Sequence, residues 1–264
     1  MAHEGFIVFA SVRSGADADR LAALHARVRP ILFDVTKRDE ITAAAAIVSA
    51  SNAPLLGLVN NAGIAVPGPL EFLPIEELRK QFEVNVFGAL AVTQAFLPQL
   101  REVPGRVVFM SSVSGQIAAP FVGAYSASKF ALEAIADALR IEMRPFGVNV
   151  SVIQPGNVKT PIWGKGRAQR QVLSEQMPPQ AHAAYGASME RLVEVTLESE
   201  RSAIEAGEVA RAVHGALSAR RPRARYAVGS PAAWQRRFAT LLPERWRDRM
   251  IAGQFLKNSA RDGL

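Results

Sequence analysis

A chain of 264 residues is long enough for one α/β domain with a full core, and its apolar content of 49% is ordinary for a globular protein. It has no cysteine, which excludes disulfides and thiolate metal sites and fits a reducing compartment; its four histidines (His3, His25, His182, His214) show no ligand spacing, so no metal is expected. The net charge of +7 is uneven: from Arg211 onward 12 Lys/Arg face 3 Asp/Glu, so the first 210 residues carry −2 and the basicity belongs to the tail. Charge alone does not make a nucleic-acid site and no recognised motif accompanies it, so no nucleic-acid partner is expected. No run of about 18 apolar residues predicts a membrane span. The N-terminus has no basic segment followed by an apolar core, so a cytoplasmic protein is expected.

Apolar runs and helical patterns alternate along the chain. Phe6–Ala10 is a strand candidate, followed by a short helix over Ala18–Leu24. Pro30–Val35 is a second strand, containing Asp34, and Ile41–Ser51 an alanine-rich helix. Leu55–Val59 reads as a buried strand that runs into Asn60-Asn61-Ala62-Gly63. A long helical pattern covers Ile75–Leu100, with Pro98 near its end. Arg106–Met110 is another buried strand, then a helix through Tyr125–Leu139, then Val148–Ile153 ending at Pro155-Gly156. Strands alternating with helices predict an α/β fold with a parallel sheet, and the right-handed crossover rule makes it doubly wound and Rossmann-like. Glu208–Leu217 is a further helix and Arg225–Gly229 a last strand.

In such sheets ligands bind beyond the carboxyl ends of the strands. Arg13, Asp34, Asn60–Gly63, Ser112 and Pro155-Gly156 all fall there. Ser112 follows the Arg106–Met110 strand, and thirteen residues later Tyr125 is separated from Lys129 by one helical turn, so the two share a face. A phenol with a pKa near ~10 is a poor acid–base group at neutral pH. An ammonium one turn away favours the phenolate. The Ser112 hydroxyl can hold a substrate oxygen. Together these residues supply a proton donor, a tuner and an orienter.

These motifs resemble the short-chain dehydrogenase/reductase family, in particular its steroid and retinol-type members. Asn60-Asn61-Ala62-Gly63 matches the family's Asn-Asn-Ala-Gly turn. Asn85, in Val84-Asn85-Val86-Phe87-Gly88, falls where the family keeps a catalytic asparagine. Ser112 with Tyr125-x-x-x-Lys129 matches its Ser and Tyr-x-x-x-Lys, and Pro155-Gly156-Asn157-Val158-Lys159-Thr160 its Pro-Gly…Thr segment. The match runs from about Phe6 to Thr160 and more loosely to Gly229.

The resemblance implies that Tyr125 protonates a carbonyl oxygen or deprotonates an alcohol. Lys129 lowers the pKa of Tyr125 and bonds the nicotinamide ribose, Ser112 orients the substrate oxygen, and Asn85 supports a relay water near Lys129. It also implies cofactor contacts at Asn61, Ala62, Gly63, Pro155, Gly156, Val158 and Thr160, with Asp34 and Val35 along the adenine. Arg13 stands where NAD-preferring members often carry an acid. A planar guanidinium suits a 2′-phosphate, so NADP(H) is expected over NAD(H). A homodimer or homotetramer, built through the Asn85 and Tyr125 helices, is implied as well.

The family opens with a strand and a Thr-Gly-x-x-x-Gly-x-Gly turn, and this chain contains no such motif. Met1–Gly5 reads like the last turn of the helix that follows it. The expectation is therefore a Rossmann-like sheet that is N-terminally truncated, with Phe6–Ala10 left beside a gap or paired directly with Leu55–Val59. Three readings stay open. In the first, the start lies roughly twenty-odd residues upstream, as the fingerprint's place in a βαβ unit implies; in the second, the chain is a truncated, cofactor-deficient binding protein; in the third, another segment fills the gap.

One domain over 1–264 is expected, with 161–206 as a substrate lid and 230–264 as a basic helical extension. Trp163, Val172, Leu173, Met177, Tyr185 and Met189 fit either a bulky apolar substrate, of steroid, retinoid or long-chain type, or the packing of the lid on the body. In the extension Trp234, Phe238, Leu241, Leu242, Trp246, Met250 and Phe255 recur at helical steps with arginines between them. That pattern fits a helix packed beside the cleft or at a subunit contact, or a peripheral membrane contact. The function expected is hydride transfer between NADP(H) and a secondary alcohol or carbonyl; the alternative is a non-catalytic binding protein.

Overall fold

The structure is a computed structural model that describes residues 1–160, 162–229 and 241–256. It opens on a 3₁₀ turn, Ala2–Glu4, closed by Gly5 at φ 95°, a left-handed conformation suited to glycine. Strand β1 (Val8–Val12) leads into α1 (Gly15–Ala22), whose N-cap Ser14 accepts from the Asp17 amide at 3.2 Å. Then follow β2 (Val28–Leu32), α2 (Arg38–Ser49) and β3 (Gly57–Asn60). Observed edges shift by a few residues from the sequence pattern; β1, for instance, reaches Val12 and so brings Arg13 directly to its carboxyl end.

The long helical pattern does not form one α-helix. It divides into α3 (Ile75–Phe82), a π-helical turn over Glu83–Gly88, and α4 (Ala89–Arg101). The turn places Asn85 inward and ends at Gly88, which lies against Val35: a Cβ on Gly88 would come within 2.8 Å of Val35 Cγ2 and 2.9 Å of the Val35 carbonyl oxygen. Such widened turns are rare and recur at functional sites.

Strand β4 (Arg106–Met110) is followed by a 3₁₀ turn at Val113–Gly115, helix α5 (Gly123–Glu142) and β5 (Asn149–Pro155). Helices α6 (Ile162–Glu175), α7 (Pro179–Arg201) and α8 (Ala206–Ser218) precede β6 (Arg225–Val228), and α9 (Glu244–Phe255) ends the described chain. The segment expected as a lid holds two helices, α6 and α7, longer than the pattern at Tyr185–Leu197 implies. Helix α9 packs on α7, and Phe255 joins Phe121, Tyr185, Met189 and Leu192 in an apolar cluster. Leu241, Trp246 and Met250 stay exposed, while Trp234 and Phe238 lie outside the described residues, as does the side chain of Trp163. No described helix is long and apolar enough to cross a membrane.

The strands are parallel throughout, but they form two sheets. One is β1–β2, with Val8 opposite Val28; the other runs β3–β4–β5–β6, with Gly57 opposite Arg106, Arg106 opposite Asn149 and Val152 opposite Arg225. Among the described residues β1 and β3 do not pair and no strand lies between them. Of the two arrangements expected for Phe6–Ala10, the structure has the one beside a gap.

A single core nevertheless spans both sheets. Phe9, Ile31 and Phe33 pack in the same cluster as Phe96, Leu100, Val107, Phe109 and Leu132. Helices α2 and α4 lie against each other over it, tied by Gln99 Nε2 donating to the Ala45 carbonyl at 3.1 Å. On the opposite face Val108 and Ile153 pack under α8. Successive residues of β4 therefore point into different layers, which is why the strand reads as an unbroken apolar run.

Gly88→Ala is expected to destabilise the protein by about 1–3 kcal/mol, because the added methyl must displace Val35 backbone and not a flexible side-chain end. Urea unfolding measures it; an unchanged midpoint would show that the π turn and the segment after β2 do not pack this closely.

Candidate active site

The carboxyl ends of β3, β4 and β5 bring the expected residues to one rim of the larger sheet. Beyond β3, Asn60 is buried and its Nδ2 donates to Thr93 Oγ1 at 2.8 Å, fixing the strand end to α4. Asn61, Ala62 and Gly63 follow as exposed loop. The next residues are held by two buried amides. Gln81 Oε1 accepts from the Val66 amide at 2.8 Å and its Nε2 donates to the Ile64 carbonyl at 2.7 Å. Asn85 Oδ1 accepts from the Ile64 amide at 2.9 Å, and its Nδ2 donates to the Ile64 carbonyl and to Ser128 Oγ, both at 3.0 Å. Asn85 is only 1% exposed. Gln81, Thr93 and Ser128 were not singled out from the sequence; the one local signal is that Gln81 stands four residues before Asn85, a same-face spacing.

Beyond β4, Ser112 caps the 3₁₀ turn, its Oγ accepting from the Ser114 amide at 3.1 Å. Tyr125 lies in the first turn of α5, and Ser128 Oγ donates to the Tyr125 carbonyl at 2.7 Å. Lys129 is 5% exposed, with Nζ donating to the Met110 carbonyl at 2.7 Å and lying 5.7 Å from the Tyr125 ring centroid. Burial pulls the Lys129 pKa down to about 8, with Glu133, one turn further along α5, pulling it back up. Tyr125 keeps part of its surface open, yet burial of its phenol pushes its pKa above the ordinary value, and a hydrogen bond with Ser112 acts the other way. The sequence pattern implied that Lys129 draws Tyr125 down. Here the ammonium is turned to a backbone carbonyl, and desolvation is the larger effect on both groups.

Beyond β5, the Gly156 amide donates to the Val228 carbonyl at 3.1 Å, and Val158 bridges Ile204 in parallel. Lys159 and Thr160 are exposed. At the smaller sheet, Arg13 Nη1 stands 3.9 Å from Asp34 Oδ2, with the arginine 68% exposed. Asp34 is held below its usual value, chiefly by the Thr36 backbone amide, with Arg13 and Lys37 adding to it against partial burial. Val35 packs on the core beside Gly88. The structure therefore gathers Gly63, Asn85, Ser112, Tyr125 and Lys129, and keeps Arg13 and Asp34 as a second group on the other sheet.

These residues fit the two ends of a dinucleotide. A Cβ on Gly63 would lie 3.4 Å from Asn85 Oδ1 and 3.8 Å from Lys129 Nζ, so glycine leaves room for a ligand to approach the backbone there. Arg13 and Asp34 offer a cation and a hydrogen-bond acceptor at the other end. Between the two groups the described residues contain no glycine-rich turn at a helix N-terminus, the usual rest for a pyrophosphate.

The profile of the family described as short chain dehydrogenase matches residues 1–171. The chain belongs to that family. This short-chain dehydrogenase is 35% identical over 256 residues to the NADPH-dependent 3-dehydrocapnine reductase of Ornithobacterium rhinotracheale, covering 94% of this chain and 88% of the relative. It is 35% identical over 260 residues to retinol dehydrogenase 5 of Mus musculus, covering 94% and 80%. Among solved structures it superposes with a TM-score of 0.75 on a short-chain dehydrogenase from Streptomyces avermitilis, at 30% identity over 94% of this chain and 86% of that one. Its chemistry is oxidoreduction with a nicotinamide cofactor.

A pH prediction follows from Lys129. Its folded pKa of about 8 lies below the ordinary 10.5, so the unfolded chain binds more protons between those values and stability rises with pH across that window. Relative to Lys129→Met, the native protein should gain up to about 3 kcal/mol of unfolding free energy on going from below pH 8 to above 10.5. Urea unfolding of both proteins across the window tests this; parallel curves would show that Lys129 is not depressed.

Proposed function

We propose that this chain transfers a hydride between NADP(H) and a secondary alcohol or carbonyl of a bulky, largely apolar substrate. The carrying observation is the convergence of Ser112, Tyr125 and Lys129 at one rim of the sheet, with Asn85 buried behind them. The nicotinamide, when bound, supplies the hydride. The protein's part is orientation and proton handling. Ser112 Oγ holds the substrate oxygen. The phenolic oxygen of Tyr125 gives that oxygen a proton in reduction or takes one in oxidation. Lys129 Nζ, leaving the Met110 carbonyl, reaches the ribose and supports the phenolate by charge. Asn85 holds the loop that carries Gly63 against Lys129, and its Oδ1 retains a lone pair for a relay water.

Asn61, Ala62, Gly63, Pro155, Gly156, Val158 and Thr160 are assigned to the nicotinamide half, and Arg13, Asp34 and Val35 to the adenosine half. The preference for NADP(H) is supported by the exposed Arg13 guanidinium and by the NADPH-dependent relative. The apolar substrate is supported by the cluster that Tyr185, Met189 and Leu192 of α7 form with Phe121, and by the retinol dehydrogenase relative. Exposed Phe87, Phe130 and Ile141 on the π turn and α5 support a homodimer or homotetramer built through those helices.

Tyr125→Phe should lower turnover by about 10²–10⁴-fold while leaving NADPH binding unchanged. A variant that turns over normally would remove the phenol from the mechanism. Arg13→Asp should weaken NADPH by at least about tenfold, or ~1.4 kcal/mol, and NADH far less; equal losses for the two nucleotides would end the 2′-phosphate assignment. Fluorescence titration tests the cofactor reading: saturable NADPH binding supports it, and a folded protein that binds neither NADPH nor NADH would end it.

A further inference from the structure

Helix α5 carries Tyr125, Lys129, Glu133 and Asp137 at intervals of four, so the four lie along one face. The mechanism uses the first two. Glu133 is only 7% exposed, and a buried carboxylate is costly unless it is paired and hydrogen-bonded. It is both. Its Oε1 accepts from Gln154 Nε2 at 2.8 Å, and its Oε2 accepts from Arg225 Nε at 3.0 Å. Arg225 Nη2 in turn donates to Asp137 Oδ2 at 2.6 Å, and Arg140 Nη2 to Asp137 Oδ1 at 2.9 Å. Gln154 directly precedes Pro155 on β5, and Arg225 opens β6. The carboxylate is thus clamped from two strands, with its charge one turn from a buried ammonium.

The charges around Lys129 are few. On α5 it has Tyr125 on one side and Glu133 on the other. The π turn brings the neutral Asn85, β4 the Met110 carbonyl, and the 3₁₀ turn Gly115, whose Cβ would meet Glu133 Cγ at 3.2 Å. Glu133 itself faces Arg225 and Gln154. Burial alone drives Lys129 toward the neutral amine, and Glu133 opposes it.

We propose that Glu133 is a positioning residue for the reactive pair: its clamped carboxylate keeps Lys129 in the ammonium form, one turn from Tyr125. Arg225 keeps Glu133 ionised and in place, so β6 takes part in setting the charge at the opposite end of the cluster. This rests on Tyr125 and Lys129 being the reactive pair, and its deciding readout, the Lys129 titration midpoint, needs neither cofactor nor substrate.

The side-chain ε-carbon resonance of Lys129, assigned by its loss in Lys129→Met, is titrated by NMR in the native protein, Glu133→Gln, Glu133→Asp and Asp137→Asn. The native midpoint is expected at about 8. Glu133→Gln should lower it by about one unit or more, a tenfold loss of ammonium, and the corresponding limb of the kcat/KM pH profile should move with it. Glu133→Asp keeps the charge and should hold the midpoint closer to native. Asp137→Asn removes only the outer carboxylate on Arg225; it should lower the melting temperature and leave the midpoint unmoved. If Glu133→Gln does not fold, Glu133→Gln/Arg225→Met leaves no unpaired charge at the clamp, and the midpoint should fall there too. An unchanged midpoint in whichever of these two proteins is folded, or equal shifts in Glu133→Gln and Glu133→Asp, would reduce Glu133 to a structural ion pair and overturn the proposal. Loss of activity in Tyr125→Phe bears on the mechanism; the Lys129 midpoint bears on Glu133 alone.

Discussion

The amide of Asn85 is the contact on which the active site depends. It is buried in a widened helical turn and uses both its ends: the oxygen on the Ile64 amide, the nitrogen on the Ile64 carbonyl and Ser128 Oγ. Ser128 passes the connection to the Tyr125 carbonyl. One side chain therefore joins the loop after β3, the π turn and the first turns of α5. Each such hydrogen bond stabilises by only about 1 kcal/mol net, but losing the amide would leave the Ile64 N–H without its acceptor, at about 1–3 kcal/mol for a buried group, while the Ile64 carbonyl keeps Gln81 and Ser128 Oγ keeps the Tyr125 carbonyl. The π turn follows from this arrangement: it carries Asn85 inward while α3 and α4 continue in register with the core on either side.

Around that contact the reactive groups are largely buried, and their electrostatics follow from burial. Burial moves Tyr125 and Lys129 in opposite directions, each away from its charged form. Charges survive there only where a partner is built in. Along α5, Lys129 is followed at four-residue steps by Glu133 and Asp137, and both carboxylates accept from Arg225, which ties the helix to β6. The same helix that presents the phenol is thereby locked to β5 and β6.

The sheet is divided, while the core is not. Side chains from β1, β2 and β4 meet under α2 and α4, so apolar burial and helix packing join what backbone hydrogen bonds do not. Arg13 and Asp34 stand at the end of the smaller sheet, and Gly63 and Lys129 at the end of the larger. A dinucleotide reaching from one group to the other would pass over the separation between the sheets.

The alternation of strands and helices was legible because parallel strands buried on both faces read as apolar runs, Val107-Val108-Phe109 being the clearest, and because Tyr125 and Lys129 lie one turn apart wherever the helix begins. Those are local facts of spacing and transfer free energy, and the sequence by itself determined them. The partners of the buried amides were a different matter. Asn60 finds Thr93, Asn85 finds Ile64 and Ser128, and Glu133 finds Gln154 and Arg225, across 21 to 92 residues. No local pattern specifies those pairs, because a buried polar atom takes whichever complementary atom the packed elements bring within reach. The π turn, the division of the sheet and the direction of the Tyr125 and Lys129 shifts were decided in the same way, by what surrounds a group once the chain has packed.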